Sequence, residues 1–86
     1  MKECLIEIWY KDPATGERTR WIRVGTYDDP KHPNRKFCYD ECTPRTIWFE
    51  DAKTLEDVMS YLWREVIPAE CVAERGFEIT VQKPNK

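Results

Sequence analysis

Apolar and polar residues alternate along the first third of the chain, and this alternation predicts a β-hairpin. Between residues 4 and 10, one set of alternate positions holds Cys4, Ile6, Ile8 and Tyr10, and the other holds Leu5, Glu7 and Trp9. Residues 17–27 resume the alternation, with Ile22, Val24 and Thr26 in one set and Thr19, Trp21, Arg23 and Tyr27 in the other. A period of two is that of a strand, because successive side chains point to opposite faces of a sheet. Residues 12–16 contain proline and end in glycine, which is typical of the turn between two such strands.

Two shorter β-type runs follow in the middle of the chain. Residues 28–36 contain two prolines and no other apolar residue, and they predict a loop. Residues 37–40 and 46–50 are then expected to form a second hairpin around residues 42–45. In the second run Ile47 and Phe49 would face the core, whereas Trp48 would face away from it.

One amphipathic helix is predicted after residue 53. Thr54 is placed to cap its free amide groups, and the acids Glu56 and Asp57 suit the positive end of the helix dipole. The apolar stripe recurs at the helical spacing and comprises Leu55, Val58, Met59, Leu62, Trp63 and Val66. Pro68 is expected to end the helix or to begin a short second turn.

The last part of the chain predicts a short turn and a final strand. Residues 69–75 would form the turn, and Gly76 would end it. Residues 77–82 then alternate, with Phe77, Ile79 and Val81 directed inward. The elements together predict one α+β domain over residues 1–86, with an antiparallel sheet of four to five strands and one helix on one face, in the order ββ(β)βαβ. A helix of about 14 residues spans roughly 20 Å and covers only one face of such a sheet, so the other face must meet water or a partner.

Composition narrows the function classes. Hydrophobic residues make up 41% of the 86 residues, which is too much for a disordered chain. The formal net charge of −2 argues against a general polyanion binder, because such proteins carry a clear excess of Lys and Arg. No apolar run has the length of a signal peptide or of a membrane span, and the expected location is the cytoplasm.

The cysteines and the single histidine do not form a recognisable catalytic or metal motif. His32, Cys38 and Cys42 with the distant Cys71 do not have the spacing of a zinc knuckle, so unlinked cysteines are favoured over zinc or a disulfide. Cys4 is expected to be a small core residue, because its set of positions also carries isoleucines. A general base near neutral pH would be His32, and no orienting group or phosphate loop accompanies it. We therefore expect neither an enzyme nor a bound cofactor or metal.

The face of the sheet that the helix leaves open carries the most informative residues. The alternation directs Leu5, Trp9, Trp21, Arg23, Tyr27 and Trp48 to this face. Trp, Tyr and Arg are enriched at the energetic centres of protein interfaces, so a contiguous patch of them indicates a contact site. The alternative is that the loop at residues 28–36 or the chain ends cover this face as a second small core.

The leading functional hypothesis is a small non-enzymatic protein-binding module or inhibitor. By format alone it is similar to small proteins of phages and mobile elements, including anti-CRISPR inhibitors. The partner would meet the aromatic residues Trp9, Trp21, Arg23, Tyr27 and Trp48, or the acidic edges formed by Asp28, Asp29, Asp40, Glu41, Glu50 and Asp51, or both. The alternative function is a domain for single-stranded nucleic acid that uses Trp9, Trp21, Arg20 and Arg23. Pairing with a second copy, through the bare sheet face or an edge strand, is a further option, and no membrane partner is expected.

Overall fold

Five strands and one helix make up the described part of the protein, which comprises residues 1–41, 46–68 and 75–84 of a computed structural model. The strands are β1 (Glu3–Lys11), β2 (Arg18–Thr26), β3 (Phe37–Asp40), β4 (Thr46–Phe49) and β5 (Glu78–Gln82). The helix α1 (Leu55–Tyr61) continues directly into a π-helical turn (Leu62–Val66). The predicted α+β fold class and element order are confirmed. The predicted turn at residues 69–75 lies almost entirely outside the described residues, as do residues 42–45 between β3 and β4.

All five strands belong to one antiparallel sheet with the order β4-β3-β2-β1-β5. The chain runs from β1 outward to β4 by successive hairpins, and β5 then returns to pair with the free side of β1. Because β1 and β2 lie in the middle of the sheet, they carry its most deeply buried side chains: Ile8, Ile22 and Val24 have no exposed surface. These three residues therefore anchor the sheet to the helix.

The hydrophobic core lies between one face of the sheet and the helix. From the sheet it takes the fully buried side chains above together with Trp21, Tyr39 and Phe49, and from the helical segment Val58, Leu62 and Ile67. Burial of one such aliphatic side chain stabilises the fold by about 1.5–3 kcal/mol. The prediction that Ile47 and Phe49 face the core while Trp48 faces away is confirmed, because Trp48 is 43% exposed.

A β-bulge in β2 places Trp21 in the core, so the prediction that Trp21 faces outward is wrong. Ile8 pairs with Ile22, but the next residue, Trp9, pairs with Arg20, which leaves Trp21 as an extra residue in the ladder. An extra residue of this kind breaks the alternation of faces. Trp21 is only 9% exposed, and its ring meets the Tyr10 ring edge-on at a centroid distance of 6.1 Å.

A second irregularity moves Cys4 away from the core. Cys4 pairs with Gly25, whereas Ile6 pairs with Val24, so Leu5 is the extra residue of β1. Residues directly opposite each other in a ladder share a face. Cys4 therefore lies with Gly25 on the side opposite the helix, and the expectation that it is a core residue is wrong.

The start of the helix is stabilised by the capping box that Thr54 begins. The Thr54 hydroxyl accepts a hydrogen bond from the Asp57 amide at 3.2 Å. In return, the Asp57 carboxylate accepts hydrogen bonds from the amides of Thr54 at 3.2 Å and Lys53 at 3.1 Å. These bonds satisfy amides that have no partner within the helix. The predicted cap is confirmed.

The end of the helix departs from the predicted apolar stripe. The Ile67 amide donates to the Leu62 carbonyl at 2.8 Å, five residues back, and both side chains are buried. Trp63 is the next residue after Leu62 in this turn and therefore points in a different direction from the helix axis. It is 45% exposed, so the prediction that Trp63 belongs to the core stripe is wrong. No helix in the described residues has the length and apolar character that a membrane crossing requires.

Candidate functional site

The face of the sheet opposite the helix, called the outer face below, is the candidate site. Its side chains alternate along the strands with those of the core, and no described helix or strand packs on it. Its central part lies on β1, β2 and β3, and its two ends carry tryptophans. The charged and aromatic residues that dominate the outer face are Glu7, Trp9, Arg18, Arg20, Arg23, Tyr27, Arg35, Asp40 and Trp48.

Two ion pairs cross the middle of the outer face. Arg23 donates to the Asp40 carboxylate through two nitrogens, at 2.6 and 3.1 Å, because the two residues are directly opposite each other on β2 and β3. Arg20 Nη1 donates to Glu7 Oε2 at 3.2 Å. Both carboxylates are buried, whereas the arginine side chains are 36% and 41% exposed. Glu7, Arg20, Arg23 and Asp40 thus form an ion-paired strip. Its accessible part consists of the two guanidinium groups.

Trp9 and Arg18 form one end of the outer face. The guanidinium carbon of Arg18 lies 5.1 Å from the centre of the Trp9 ring, which is the geometry of a cation–π contact. Arg18 also donates to the side-chain carbonyl of Gln82 at 2.9 Å. This bond directs the Arg18 side chain across the Trp9 indole towards β5. The Trp9 indole nitrogen lies 3.4 Å from Glu7 Oε1. Trp9 is thus half-buried under an arginine.

Trp48, Tyr27 and Arg35 form the other end. The Tyr27 and Trp48 rings are 5.6 Å apart and tilted by 54°, and the Arg35 guanidinium lies 5.1 Å from the Trp48 ring centre. Arg35 also pairs with Glu50. An arginine therefore stacks on a tryptophan at each end of the outer face.

The two tryptophans are separate and do not form one contiguous aromatic patch. Trp48 pairs with Cys38, Cys38 with Gly25, and Gly25 with Cys4, so Trp48 and Cys4 share one row across four strands. Three strand spacings correspond to about 14 Å, and Trp9 lies five residues further along β1. The ion-paired strip occupies the space between them.

The loop at residues 28–36 closes one end of the outer face without covering the rest. Asp29 organises it: the Lys31 amide and the Tyr27 hydroxyl donate to its carboxylate at 2.9 and 3.2 Å, and His32 Nδ1 lies 3.0 Å away. The bonds from His32 and from the Lys31 amide hold the pKa of Asp29 below its usual value. Loss of hydration and the neighbouring Asp29 raise the pKa of Tyr27.

A small buried region lies beneath this end of the outer face. The alternative sequence interpretation predicted such a second core for the whole face. Cys38 has no exposed surface, and Gly25 next to it is covered by Met1: a Cβ at Gly25 would collide with the Glu3 carbonyl and the Met1 side chain. No described chain end or loop covers the outer face in this way around Arg20 and Trp9. The second core is therefore confined to one corner.

The acidic residues suggested as a second binding surface do not share one face. Asp40 is buried against Arg23, and with Glu41 it lies at the far end of β3 from the other acids. Asp28 pairs with Lys2 at 3.5 Å, Asp29 stays within its loop, and Glu50 pairs with Arg35. Asp51 is exposed and adopts a positive φ of 60° after β4. Most of these carboxylates are thus engaged by basic groups of the same chain.

The thiols that the structure describes are Cys4 and Cys38, and both are free. Burial raises the pKa of each, so both stay protonated near neutral pH. No group of three histidine, cysteine or acidic residues gathers within the described ranges. Cys42 and Cys71 lie outside those ranges.

Sequence reasoning placed neither Arg18 against Trp9 nor Arg35 against Trp48. Arg18 stands two positions before Arg20 in β2, and its distance from Trp9 follows only from the cross-strand pairing. Arg35 belongs to a loop whose polar composition indicated no contact with a strand. If the length of the β1–β2 turn had been known, the pairing of the two strands would have placed Arg18 near Trp9. No local pattern in the sequence would have placed Arg35 near Trp48.

Comparison with known proteins adds no relative to these observations. No family model, no curated protein and no solved structure matches the chain. The outer face therefore has to be interpreted from its own chemistry.

Proposed function

We propose that this chain is a small non-enzymatic protein-binding domain that recognises its partner with the outer face of the sheet. The observation that carries the proposal is the stacking of an arginine on a tryptophan at each end of an otherwise open sheet face, where Trp48 is exposed and Trp9 is half-buried. Trp and Arg dominate the binding energy of many protein interfaces, because they bury a large area and donate several hydrogen bonds. Stacking holds each arginine in place before binding and so lowers the entropy lost on association.

The charge balance of the outer face favours a protein over a polyanion. Among the residues that the structure describes, the outer face has four arginines, of which Arg20, Arg23 and Arg35 are paired with carboxylates of the same chain. Only Arg18 has no carboxylate partner among the described residues. Affinity for nucleic acid comes largely from cations that neutralise phosphates, and paired arginines contribute little to it. A protein partner needs no such excess.

The chemistry of the outer face also defines the partner. Its guanidinium groups offer N–H donors along the strip between the two tryptophans, so the partner should present carbonyl or carboxylate oxygens there. The two tryptophans should meet apolar side chains. The partner surface is therefore broad and mixed, with apolar positions flanking polar acceptors.

Affinity capture with matched tryptophan variants tests the proposal. The protein is immobilised and exposed to an extract of its native host, and the captured proteins are identified by mass spectrometry. A specific partner should be retained by the wild type and lost from Trp48→Ala and Trp9→Ala. The control is Trp63→Ala, which removes an equally exposed tryptophan from the helix side (45% against 43%). Equal loss in all three variants, or loss only in Trp63→Ala, would contradict the proposal.

A second candidate function is binding of single-stranded nucleic acid. The specific observation in its favour is the exposed indole with a stacked guanidinium, which is also the unit of a base-stacking platform. Fluorescence anisotropy with labelled DNA and RNA oligonucleotides at low salt decides between the two. Tight binding that weakens steeply with added salt and is lost in Trp48→Ala would replace the leading proposal.

A finer form of the leading proposal is that the domain is an inhibitor, of the kind that phages and mobile elements encode. It is supported by a binding face that occupies most of one side of the sheet, with no described helix or strand packed on it. Once a partner is captured, its activity is measured with increasing amounts of the wild type and of Trp48→Ala. Inhibition by the wild type alone supports this form, and unchanged activity at saturation excludes it.

A further inference from the structure

The edge strand β5 is the second unpartnered feature of the fold. Its inner side pairs with β1, from Lys11 opposite Glu78 to Glu7 opposite Gln82, and no described strand pairs with its outer side. Proteins usually protect such an edge with lysine, proline, a bulge or a very short strand. β5 has five residues, pairs with β1 without a register shift and contains neither lysine nor proline within the strand; Lys83 and Pro84 follow its last residue.

The sequence of β5 is complementary to itself when it runs antiparallel about Thr80. In that register Thr80 faces Thr80 of the second copy, Ile79 faces Val81, and Glu78 faces Gln82. Every pair matches in character: hydroxyl with hydroxyl, apolar with apolar, carboxylate with amide. Facing Thr pairs and facing β-branched apolar pairs are both favourable in antiparallel sheets. We propose that two copies of this chain associate by pairing their β5 strands in this register.

The helix side of β5 supplies the apolar part of this contact. Val81 lies opposite Ile8 of β1, so it belongs to the core face of the sheet, yet it is 42% exposed. The prediction that Val81 points inward therefore holds for the face of the sheet but not for burial, because the helix does not cover the edge. Ile79 of a second copy would lie against Val81 and continue the core across the pair.

The outer-face side of β5 supplies the charge complementarity. Within the described chain neither Glu78 nor Arg18 forms an ion pair, although Arg18 is hydrogen-bonded to Gln82. In the proposed register Glu78 of one copy faces Gln82 of the other, and Gln82 holds the Arg18 guanidinium. Each Glu78 carboxylate, whose cross-strand neighbour in its own chain is Lys11, thus also approaches Arg18 of the other copy, and the two-fold symmetry repeats this contact.

The pairing would also combine two outer faces on one side of a ten-stranded sheet. A two-fold axis perpendicular to the sheet keeps each residue on its own face. Trp9 lies opposite Thr80, so the two Trp9 residues would share one row and stand about 14 Å apart, three strand spacings. The edge contact does not depend on the proposed function. If both hold, the dimer would present two binding faces on the same side of one sheet.

Sedimentation equilibrium over about 10 µM to 1 mM tests the pairing, a range chosen because a single strand pair is a small interface. The wild type should show a reversible monomer–dimer equilibrium. Thr80→Lys places two ammonium groups opposite each other at the axis and should raise the dissociation constant at least tenfold. Thr80 is exposed, so circular dichroism should show an unchanged fold. Thr15→Lys, the same substitution in the exposed β1–β2 turn, is the matched control and should dimerise like the wild type.

Two outcomes would overturn the proposal. One is a wild-type protein that remains monomeric to the highest concentration. The other is a dimer that Thr80→Lys leaves intact. Trp48→Ala separates this test from the proposed function: it should leave dimerisation unchanged while abolishing partner capture. Amide chemical shifts that change with concentration should be confined to β5 and its neighbours.

Discussion

The four tryptophans of this chain occupy different environments, and their positions in the pairing register explain why. Trp21 is the extra residue of a bulge and fills the core, whereas Trp9, its cross-strand neighbour, lies on the outer face under Arg18. Trp48 and Trp63 are exposed on opposite sides of the molecule. The same residue type therefore serves packing at one site and is available for contacts at others.

Replacement of Trp21 should destabilise the protein far more than replacement of an exposed tryptophan. Trp21→Ala removes a buried ring that contacts Tyr10, and we expect a loss of about 3 kcal/mol in the free energy of unfolding. Trp63→Ala should change it by less than about 0.5 kcal/mol. Urea denaturation measures both values. Similar losses in the two variants would mean that Trp21 is not a core residue.

The Arg23–Asp40 ion pair is the residue contact on the outer face with the largest expected effect on stability. Arg23→Met keeps the length of the side chain but removes two hydrogen bonds to a buried carboxylate, and we expect a loss of about 2 kcal/mol. Arg18→Met is the control, because Arg18 faces no carboxylate in the described residues. It should cost less than about 1 kcal/mol. Equal losses of unfolding free energy for Arg23→Met and Arg18→Met in urea denaturation would show that the Arg23–Asp40 ion pair adds no stability of its own.

At the scale of elements, the helix depends on its N-terminal cap. Thr54→Ala removes the oxygen that accepts from the Asp57 amide, and the free energy of unfolding should fall by about 1 kcal/mol. Thr54→Ser retains that oxygen and should restore most of the difference. Thermal or urea unfolding followed by circular dichroism measures the effect. An alanine variant as stable as the wild type would show that the cap contributes nothing.

The Asp57 side of the cap makes the helix sensitive to acid. Amide hydrogen bonds from Lys53 and Thr54 lower the pKa of Asp57, so the folded protein binds this proton less readily than the unfolded chain. The resulting stabilisation is complete when the pH is above the pKa of the unfolded Asp57, about 3.9. It is lost as the pH falls through the lower pKa that Asp57 has in the folded protein. Asp57→Asn should therefore be less stable than the wild type at pH 7. Urea denaturation at a series of pH values should show this difference shrinking below about pH 4. A difference independent of pH would exclude the ionised carboxylate as its cause.

At the scale of the whole molecule, Cys38 reports on opening of the sheet. It lies in β3 with no exposed surface, and burial raises the pKa of its thiol. Alkylation by iodoacetamide should therefore be slower at Cys38 than at the partly exposed Cys4 in the native protein, and equal in urea. Peptide-level mass spectrometry separates these sites from Cys42 and Cys71. Rapid native labelling of Cys38 would show that the corner around Met1 and Gly25 is open.

The fold could be predicted further than the candidate site. The strand periodicity of β1 and β2 and the cap at Thr54 depend on residues close together in the chain, and both are confirmed. The orientations of Trp21 and Cys4 were wrong because each depends on a bulge, and a shift of one residue moves a side chain to the other face. Likewise, the exposure of Val81 depends on where the helix stops covering the sheet.

The sequence by itself determined the set of elements, the fold class and the presence of one sheet face without a helix, because periodicity and capping act between residues a few positions apart. The alternation also directed Trp9, Arg23, Tyr27 and Trp48 to that face, where the structure places them. The tertiary structure alone decided which side chains meet there. Arg18 meets Trp9, Arg35 meets Trp48, and Asp40 is buried by Arg23 through contacts between separate segments. Such contacts follow from strand register, which the whole sheet and its bulges set together, and no local pattern encodes them.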